Sequence, residues 1–309
     1  MRVMSSHYHT SVLLRESIGG LAVKPDGVYV DLTFGGGGHS KALLDELGES
    51  GKLFAFDQDE EAWENAPDDN RFTLVRQNFR FLKNNLRLYG FPKVDGVLAD
   101  LGVSSHQFDK PERGFSIRFD AELDMRMNKH SDKTAKHILN EYEESDLKKL
   151  FFVYGDLKNA GKVARNIVQA RSRQKINRVE ELKQVLEPLT PSHKWHSFLA
   201  KVFQALRIEV NDEMKVLEEM LLQCEDVIKP GGRLVVIAYH SLEDRMVKHL
   251  MRSGNLSGKV EKDFYGNMLR PFKPLSSKPI VPTDEEIENN NRARSARLRI
   301  AERLAESNE

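Results

Sequence analysis

Short apolar runs alternate with longer amphipathic stretches over the first hundred residues of the chain. The runs have the length and the β-branched and aromatic content of buried strands, and the stretches between them have helical or turn composition. Strands that alternate with helices are typical of a parallel sheet covered on both faces. The pattern therefore predicts an α/β protein with a doubly wound, mostly parallel sheet. The first four predicted strands cover residues 28–34, 52–57, 71–76 and 94–101, and helices are predicted after the first two, from about Ser40 to Leu47 and around Glu60 to Asn65.

This alternation stops near Gln107, and no buried strand is evident until the last third of the chain. Apolar residues recur instead at helical spacing, which predicts an inserted helical domain over 109–197. The sheet domain would then comprise 1–108 and 198–309. Between Asp156 and Lys183, eight Lys and Arg residues stand against three acidic residues. The predicted helices of the insert cover residues 133–140, 145–154, 159–173 and 179–186.

The α/β pattern resumes after the insert with an apolar helical face over 217–228. Lys229-Pro-Gly-Gly232 is predicted to end that helix, and 233–240 to form a fifth buried strand. The segment 296–300 alternates apolar and charged residues well enough for a late strand, although a terminal helix fits nearly as well.

Charge and cysteine content narrow the functional classes. The 309 residues carry 47 Lys and Arg and 47 Asp and Glu, which excludes a uniformly basic protein but not a local basic patch. Cys224 is the single cysteine, so no internal disulfide forms, and no His and carboxylate spacing predicts a metal site. No apolar run is long enough for a bilayer, and the first residues lack a signal-peptide core. A cytoplasmic protein without a membrane contact is expected, and its oligomeric state is left open.

Four successive glycines, Gly35 to Gly38, lie between the first predicted strand and a helix. A loop of this kind lets the backbone approach a nucleotide-type ligand closely, with helix N–H groups facing it. Asp31 precedes the glycines, and its carboxylate would repel the pyrophosphate of a dinucleotide. S-adenosylmethionine has no phosphate and carries a cationic amine and a sulfonium. The sequence therefore favours this methyl donor over a nicotinamide dinucleotide.

Three further residues follow strands at the same edge of the predicted sheet. Asp57 comes nineteen residues after Gly38, where an acid accepts hydrogen bonds from a ribose, although a solvated carboxylate is the alternative. Phe79 is a candidate to pack its ring against the adenine, and the alternative is that it is a core residue. Asp100 ends the fourth strand and is a candidate contact to the methionine end of the cofactor or to the acceptor group, or else a helix N-cap.

The segment after the fifth strand offers both a cap and a candidate contact. Ser241 with Asp244 resembles a helix N-cap with an acidic partner three residues on. His240 at the strand tip is a candidate substrate contact, although a lone histidine is more often structural.

Together these segments resemble the bacterial S-adenosylmethionine-dependent methyltransferases that modify the N4 amine of a cytosine in small-subunit ribosomal RNA. The resemblance rests on His9-Thr-Ser-Val-Leu-Leu14, Asp31-Leu-Thr-Phe-Gly-Gly-Gly-Gly-His-Ser40, Phe56-Asp-Gln-Asp59, Asp100-Leu-Gly-Val-Ser-Ser105, Glu112-Arg-Gly-Phe-Ser116, Leu123-Asp-Met-Arg-Met127, Phe203-Gln-Ala-Leu-Arg207, Tyr239-His-Ser-Leu-Glu-Asp-Arg245 and Arg292-Ala-Arg-Ser-Ala296. It implies a class I methyltransferase (Rossmann-like) fold with a helical insert, and 16S rRNA in an assembled or late-assembling particle as substrate. The cofactor contacts that it implies are Gly37, Gly38, His39, Asp57, Phe79, Asp100 and Gln107.

The resemblance also sets expectations for catalysis and for RNA. Many amino-group methyltransferases carry two prolines and an aromatic after the fourth strand, whereas this chain reads Asp100-Leu-Gly-Val103. Asp100 is therefore the candidate that polarises the target amine. Competing interpretations are a nicotinamide-dependent oxidoreductase, a non-catalytic RNA-binding factor, and a methyltransferase of DNA or small molecules. The basic helices of the insert and the arginine-rich tail are expected to hold the RNA backbone, with individual contacts at Arg113, Arg126, His240, Arg245 and Arg294.

Overall fold

The computed structural model describes residues 11–305, apart from the side chains of residues 105 and 106. His9 and Thr10 of the first motif and the side chain of Ser105 in the fourth therefore lie outside the described part. The chain forms two compact units, one of Met1–Gly102 with Val216–Glu309 and the other of Val103–Lys215. In chain order the helices are α1 Leu14–Leu21, α2 Gly38–Glu46, α3 Leu82–Leu88, α4 Ser105–Asp109, α5 Ala135–Glu141, α6 Glu144–Val153, α7 Ala160–Arg171, α8 Val179–Leu186, α9 Trp195–Val210, α10 Glu213–Val227, α11 Ser241–Ser253 and α12 Asp284–Asn289.

The first unit is built on a seven-stranded sheet in the order β3-β2-β1-β4-β5-β7-β6. Strands β1 to β5 run parallel to one another, and β7 runs antiparallel to both β5 and β6. This confirms the predicted doubly wound, mostly parallel α/β sheet of a class I methyltransferase. The strands are β1 Val28–Asp31, β2 Lys52–Phe56, β3 Phe72–Val75, β4 Val94–Asp100, β5 Ile228–Ala238, β6 Phe272–Pro274 and β7 Arg297–Arg303.

The strand order reverses between β1 and β4, which pair with each other in parallel. In open α/β sheets, ligands bind outside the carboxyl ends of the strands at such a reversal. Apolar side chains of β1, β2 and β5, such as Tyr29, Leu53 and Val235, are buried against helices α1 and α2. The fold therefore directs attention to the residues that follow β1, β2, β4 and β5.

Two local predictions differ from the structure. Lys229-Pro-Gly-Gly232 does not separate helix from strand, because β5 already begins at Ile228. The four residues form a bulge, since Val94 pairs with Ile228 whereas Gly96 pairs with Arg233. A bulge tolerates Pro230, which has no N–H to donate to a sheet. The second difference is Glu60–Asn65, which is a 3₁₀-helix and not an α-helix.

The arginine-rich tail forms a strand, which resolves the ambiguity left by its sequence. β7 pairs with β5 from Arg233–Glu302 to Ala238–Arg297. Leu298 and Ala301 are both buried, and because they are three residues apart they lie on opposite faces, so each face of β7 is partly covered. The short strand β6, which the sequence did not indicate, pairs with β7.

The second unit is helical and has its own core. Residues from α5 to α9 bury a continuous apolar cluster that includes Leu139, Phe151, Ile167 and Leu182. The unit, 103–215, contains the expected insert 109–197 but extends further at both ends. It does so because the apolar face of α9 packs in this same core rather than on the sheet. None of the described helices has the length and hydropathy required to cross a membrane.

Candidate active site

The glycine loop joins β1 to α2 with two residues in left-handed backbone conformations. Gly35 has a φ of 51° and Gly37 a φ of 77°, a region in which glycine avoids the steric penalty of a side chain. The turn is closed by the Gly37 N–H, which donates to the Phe34 carbonyl at 2.8 Å. The side chain of Asn65 donates to the Gly35 carbonyl at 3.0 Å. One hydrogen bond within the turn and one from Asn65 outside it therefore hold the loop in place.

Gly36 and Gly38 differ in what surrounds them. A Cβ built on Gly38 would lie 2.1 Å from the Ser11 hydroxyl, so the Ser11 side chain would have to move to admit a larger residue there. A Cβ on Gly36 meets no atom within 4 Å, and Gly36 is exposed. At Gly36 the loop thus presents bare backbone to open space. The sequence did not distinguish Gly36 from its neighbours, because four identical glycines give no signal of which one faces outward.

Asp31 ends β1 and is buried, with 1% of its surface exposed. Its carboxylate accepts a hydrogen bond from the Ser40 hydroxyl at 2.7 Å and from the Thr33 N–H at 3.1 Å. The Thr33 hydroxyl in turn accepts from the Asp100 N–H at 2.7 Å. Asp31 therefore joins the strand end to the start of α2 and brings negative charge beneath the loop.

Asp57 follows β2, and both of its carboxylate oxygens accept backbone hydrogen bonds. Gly35 N–H donates at 2.8 Å and Asp59 N–H at 2.9 Å. Burial raises the pKa of Asp57 to about 6, and the charges of Asp59 and Asp31 act in the same direction. Asp59 instead caps the 3₁₀-helix by accepting from Glu61 N–H at 3.2 Å. The structure thus ties Asp57, and not Asp59, to the glycine loop.

Phe79 follows β3 at the start of a 3₁₀-helix and is half-buried. Asn78 precedes it and caps that helix by accepting from Arg80 N–H at 2.9 Å. The Asn78 amide also donates to the Gln58 side chain at 2.9 Å, which links the ends of β2 and β3. Phe79 is therefore held beside Asp57's strand end, with part of its ring accessible.

Asp100 ends β4 and forms a polar group with two other side chains. The Tyr239 hydroxyl donates to one carboxylate oxygen at 2.7 Å, and His39 Nδ1 lies 3.8 Å from the other. The opposite nitrogen of His39, Nε2, donates to the Val12 carbonyl at 3.1 Å. Burial raises the pKa of Asp100 to about 6, and His39 and the Tyr239 hydroxyl oppose that rise.

Tyr239 is a site residue that sequence reasoning missed. It lies 139 residues after Asp100, and only the pairing of β4 with β5 brings the two together. Burial and the neighbouring Asp100 carboxylate raise the Tyr239 pKa far above its usual range, so the hydroxyl keeps its proton and remains a donor. The sequence offers one signal for Tyr239, which is its position directly after β5, the strand that pairs with β4.

Three carboxylates, Asp31, Asp57 and Asp100, therefore lie at one edge of the sheet around the loop. The charge of Asp31 raises the pKa of both Asp57 and Asp100, so Asp31 repels each of the other two carboxylates. A cationic group bound there would relieve this repulsion, whereas a pyrophosphate would add to it. Together with the bare backbone at Gly36, these three carboxylates fit a ligand that carries an ammonium and a sulfonium, as S-adenosylmethionine does.

The helix after β5 is capped one residue earlier than the sequence indicated. His240, not Ser241, is the N-cap of α11, and its Nδ1 accepts from Glu243 N–H at 3.4 Å. Glu243 completes the capping box by accepting from the N–H groups of Tyr239 and His240 at 2.9 and 3.2 Å. Since His240 is also largely buried, with 7% of its side chain exposed, we assign it a capping role and not an RNA contact.

Asp244 is not a capping residue but an anchor for the C-terminal strand. It accepts two hydrogen bonds from Arg299, at 2.7 and 3.1 Å, and one from Arg297 at 3.3 Å. These two arginines of the tail are therefore engaged in holding β7 to α11. Arg245 and Arg294, by contrast, are exposed.

The remaining candidates lie in the second unit. Gln107 is buried and exchanges hydrogen bonds with Ser104 at 3.1 and 3.3 Å. Arg113 is 5% exposed and donates to the carbonyl of Arg126 at 2.9 Å, so it does not offer its guanidinium at the surface. Arg126 forms a two-point ion pair with Asp124 at 2.7 and 2.8 Å. We therefore correct the expectation for Arg113 and Arg126, since both stabilise this unit.

The chain is similar to known proteins over nearly its whole length. A model of the MraW methylase family matches residues 6–304. The chain is 59% identical over 297 residues to the Ribosomal RNA small subunit methyltransferase H of Flavobacterium johnsoniae, covering 96% of this chain and 98% of that protein. It is 55% identical over 305 residues to the protein of the same name from Parabacteroides distasonis, covering 98% of this chain and 100% of that protein.

Proposed function

The chain belongs to the MraW methylase family, and we infer that it transfers a methyl group from S-adenosylmethionine to the N4 amine of a cytosine in small-subunit (16S) ribosomal RNA. The observation that carries this inference is the group of three carboxylates around the glycine loop. It suits a cationic, phosphate-free cofactor and opposes a nicotinamide dinucleotide. Membership of this family makes the protein a methyltransferase whose substrate is ribosomal RNA.

We propose that Gly37, Gly38, Asp57, Phe79 and Asp100 contact the cofactor, and that Gly36 belongs with them. The loop backbone would lie against the ligand at Gly36, whose outward side is open. His39 is buried between Val12 and Asp100, so we propose that it acts on the cofactor through Asp100. Gln107 belongs to the second unit and remains a predicted contact.

When bound, S-adenosylmethionine supplies an electrophilic methyl group, which leaves the protein to position and polarise the acceptor. The exocyclic amine of cytosine is a weak nucleophile because its lone pair is delocalised into the ring. We propose that ionised Asp100 accepts a hydrogen bond from this amine and thereby orients it. The hydroxyl of Tyr239, held 2.7 Å from Asp100, fixes the carboxylate for that task.

The decisive experiment is the transfer of labelled methyl to small ribosomal subunits that lack the modification. We expect label in N4-methylcytidine after the RNA is digested to nucleosides. A parallel reaction with protein-free 16S rRNA tests our further proposal that an assembled or late-assembling particle in the cytoplasm is the substrate. Cofactor binding without any labelled RNA would overturn the RNA substrate, and cofactor binding without turnover on any acceptor would favour a non-catalytic binding factor.

We propose that exposed basic residues of the second unit hold the RNA backbone, as expected of the helical insert. Arg173 and Lys175 are exposed after α7, and Lys175 has only a distant partner, Glu141 at 3.6 Å. Arg171 is a poorer choice for mutation because it donates to the Leu139 carbonyl at 2.9 Å.

Reversing Arg173 and Lys175 to glutamate should weaken RNA binding about tenfold and lower the salt dependence of binding by roughly two counterions, because phosphate contacts release counterions. Filter binding at several salt concentrations measures both. Lys93→Glu, an exposed reversal in the first unit, serves as the control. Affinity for S-adenosylmethionine should stay the same, and unchanged RNA affinity would exclude this surface.

A further inference from the structure

Two aromatic rings are almost fully exposed on the first unit, in the segment between α11 and β6. Phe264 is 98% exposed and Tyr265 is 86% exposed. Their rings contact each other edge to face, with centroids 5.6 Å apart. Burying an aromatic side chain stabilises a fold by about 1.5–3 kcal/mol, so these two rings contribute little to folding. We refer to residues 259–270 as the aromatic loop.

The aromatic loop is a built turn rather than loose chain. Asp263 accepts hydrogen bonds from the N–H groups of Tyr265 and Asn267 at 2.9 and 2.8 Å, and from the Asn267 amide at 2.9 Å. The backbones of Lys262 and Met268 form an antiparallel β-bridge across the turn. Gly266 has a φ of 87°, which completes the reversal. The rings are therefore presented by a preformed hairpin, which reduces the entropy lost when a ligand binds.

The base of the loop is anchored to the end of α11. A Cβ on Gly254, the C-cap residue, would lie 2.7 Å from the Leu269 carbonyl and 2.8 Å from the Arg270 Cα. The Arg270 side chain donates to the Arg252 carbonyl at 3.3 Å, and the Asn255 amide to the Lys259 carbonyl at 2.7 Å. The rings thus project from a support that is fixed to the sheet unit.

Basic residues outnumber acidic residues in the aromatic loop and the chain beside it. Two acidic residues, Glu261 and Asp263, share the loop, and the Asp263 carboxylate is occupied by the turn, whose hydrogen bonds lower its pKa. A surface of exposed aromatic faces set among lysines and arginines is the pattern of single-stranded nucleic-acid binding, in which bases stack and phosphates are neutralised. The basic residues in and beside the loop are Arg252, Lys259, Lys262, Arg270 and Lys273.

We propose that the aromatic loop is an RNA-binding site, at which Phe264 and Tyr265 stack on unpaired bases of the ribosomal RNA substrate while the surrounding lysines contact its phosphates. This inference rests on the proposed function. The excess of basic residues favours RNA over an apolar protein partner, since an apolar partner has no phosphates for them to neutralise. The aromatic loop belongs to the first unit, whereas the basic helices belong to the second.

The test is a steady-state comparison of the full-length enzyme with its Phe264→Ala/Tyr265→Ala variant on unmodified small subunits. We expect KM for the subunit to rise about tenfold or more, since stacking contributes a factor of that order for each base. The value of kcat and the affinity for S-adenosylmethionine should not change. Leu88→Ala, which removes an 80% exposed apolar side chain of α3, is the matched control and should leave KM unchanged.

A second variant separates stacking from general apolar contact. Phe264→Leu/Tyr265→Leu keeps apolar surface but has no π face, and it should resemble the alanine variant. Retained affinity in the leucine variant, or a defect on subunits that is absent on protein-free 16S rRNA, would indicate a protein partner and overturn the proposal. An unchanged KM in the alanine variant would also overturn it, while the activity of the unmodified enzyme would still support the proposed function.

Discussion

Replacing Asp100 by asparagine should lower kcat by about a hundredfold to a thousandfold while making the protein more stable. The asparagine oxygen can still accept from Tyr239, but it carries no charge to polarise the amine. Because burial raises the pKa of Asp100 to about 6, its ionised form destabilises the fold at neutral pH. Removing that charge should increase the free energy of unfolding by about 1–3 kcal/mol. Single-turnover kinetics and denaturant unfolding measure the two effects.

The pH dependence provides an independent readout for Asp100. In the unsubstituted enzyme, turnover should fall as the pH drops through about 6, where the carboxylate becomes protonated. The stability of the fold should follow the opposite trend. Because folding raises the pKa of Asp100, the protonated carboxyl stabilises the fold, and this contribution is lost as the pH rises through about 6. Asp100→Asn should remove both dependences on this group. If the variant keeps both turnover and cofactor affinity, our assignment of Asp100 is wrong.

Substituting Gly36 by valine should weaken binding of S-adenosylmethionine about a hundredfold or more with little change in stability. The new side chain meets no protein atom within 4 Å of its Cβ position, so the fold can accept it. It would instead occupy the open space where we propose that the cofactor approaches the backbone. A steric clash with a ligand that cannot move aside costs several kcal/mol of binding free energy. About 1.4 kcal/mol corresponds to a tenfold change in affinity. Isothermal titration calorimetry measures the affinity directly.

Two other glycine substitutions make the Gly36 result interpretable. Gly38→Ala should destabilise the protein, because its Cβ would overlap the Ser11 hydroxyl. Gly19→Ala, in helix α1, also points into open space and should leave cofactor binding intact. Normal cofactor affinity in Gly36→Val would mean that the ligand does not approach the loop at this residue.

The parts of the fold that depend on short-range patterning were predictable from the sequence. Strands β1 to β4 begin and end within a few residues of their predicted bounds, since each is a short apolar run flanked by turn residues. The bulge at 229–232 was not predictable, because Pro-Gly-Gly is typical of both a helix end and a strand irregularity. Its identity depends on the register with β4, which lies more than a hundred residues earlier.

The same distinction between short-range pattern and long-range pairing applies to the candidate site. Asp57 and Asp100 could be identified because both follow apolar runs at the same sheet edge. Their environment could not be identified, since the Tyr239 hydroxyl reaches Asp100 only through the pairing of β4 with β5. His240 shows the converse error, in which a residue at a strand tip suggested chemistry but serves as a helix cap. Capping depends on a backbone angle that composition does not reveal.

The position of β7 bears on how the chain folds as it is synthesised. β7 lies between β5 and β6, so β5 has an open edge until the segment Arg297–Arg303 has emerged from the translating ribosome. An unpaired edge strand is a template for wrong pairing with other chains. The helical unit, whose residues all precede β5, can bury its core during this interval. The sheet that carries the three carboxylates is therefore completed after the helical unit, and only once Arg297–Arg303 has been synthesised.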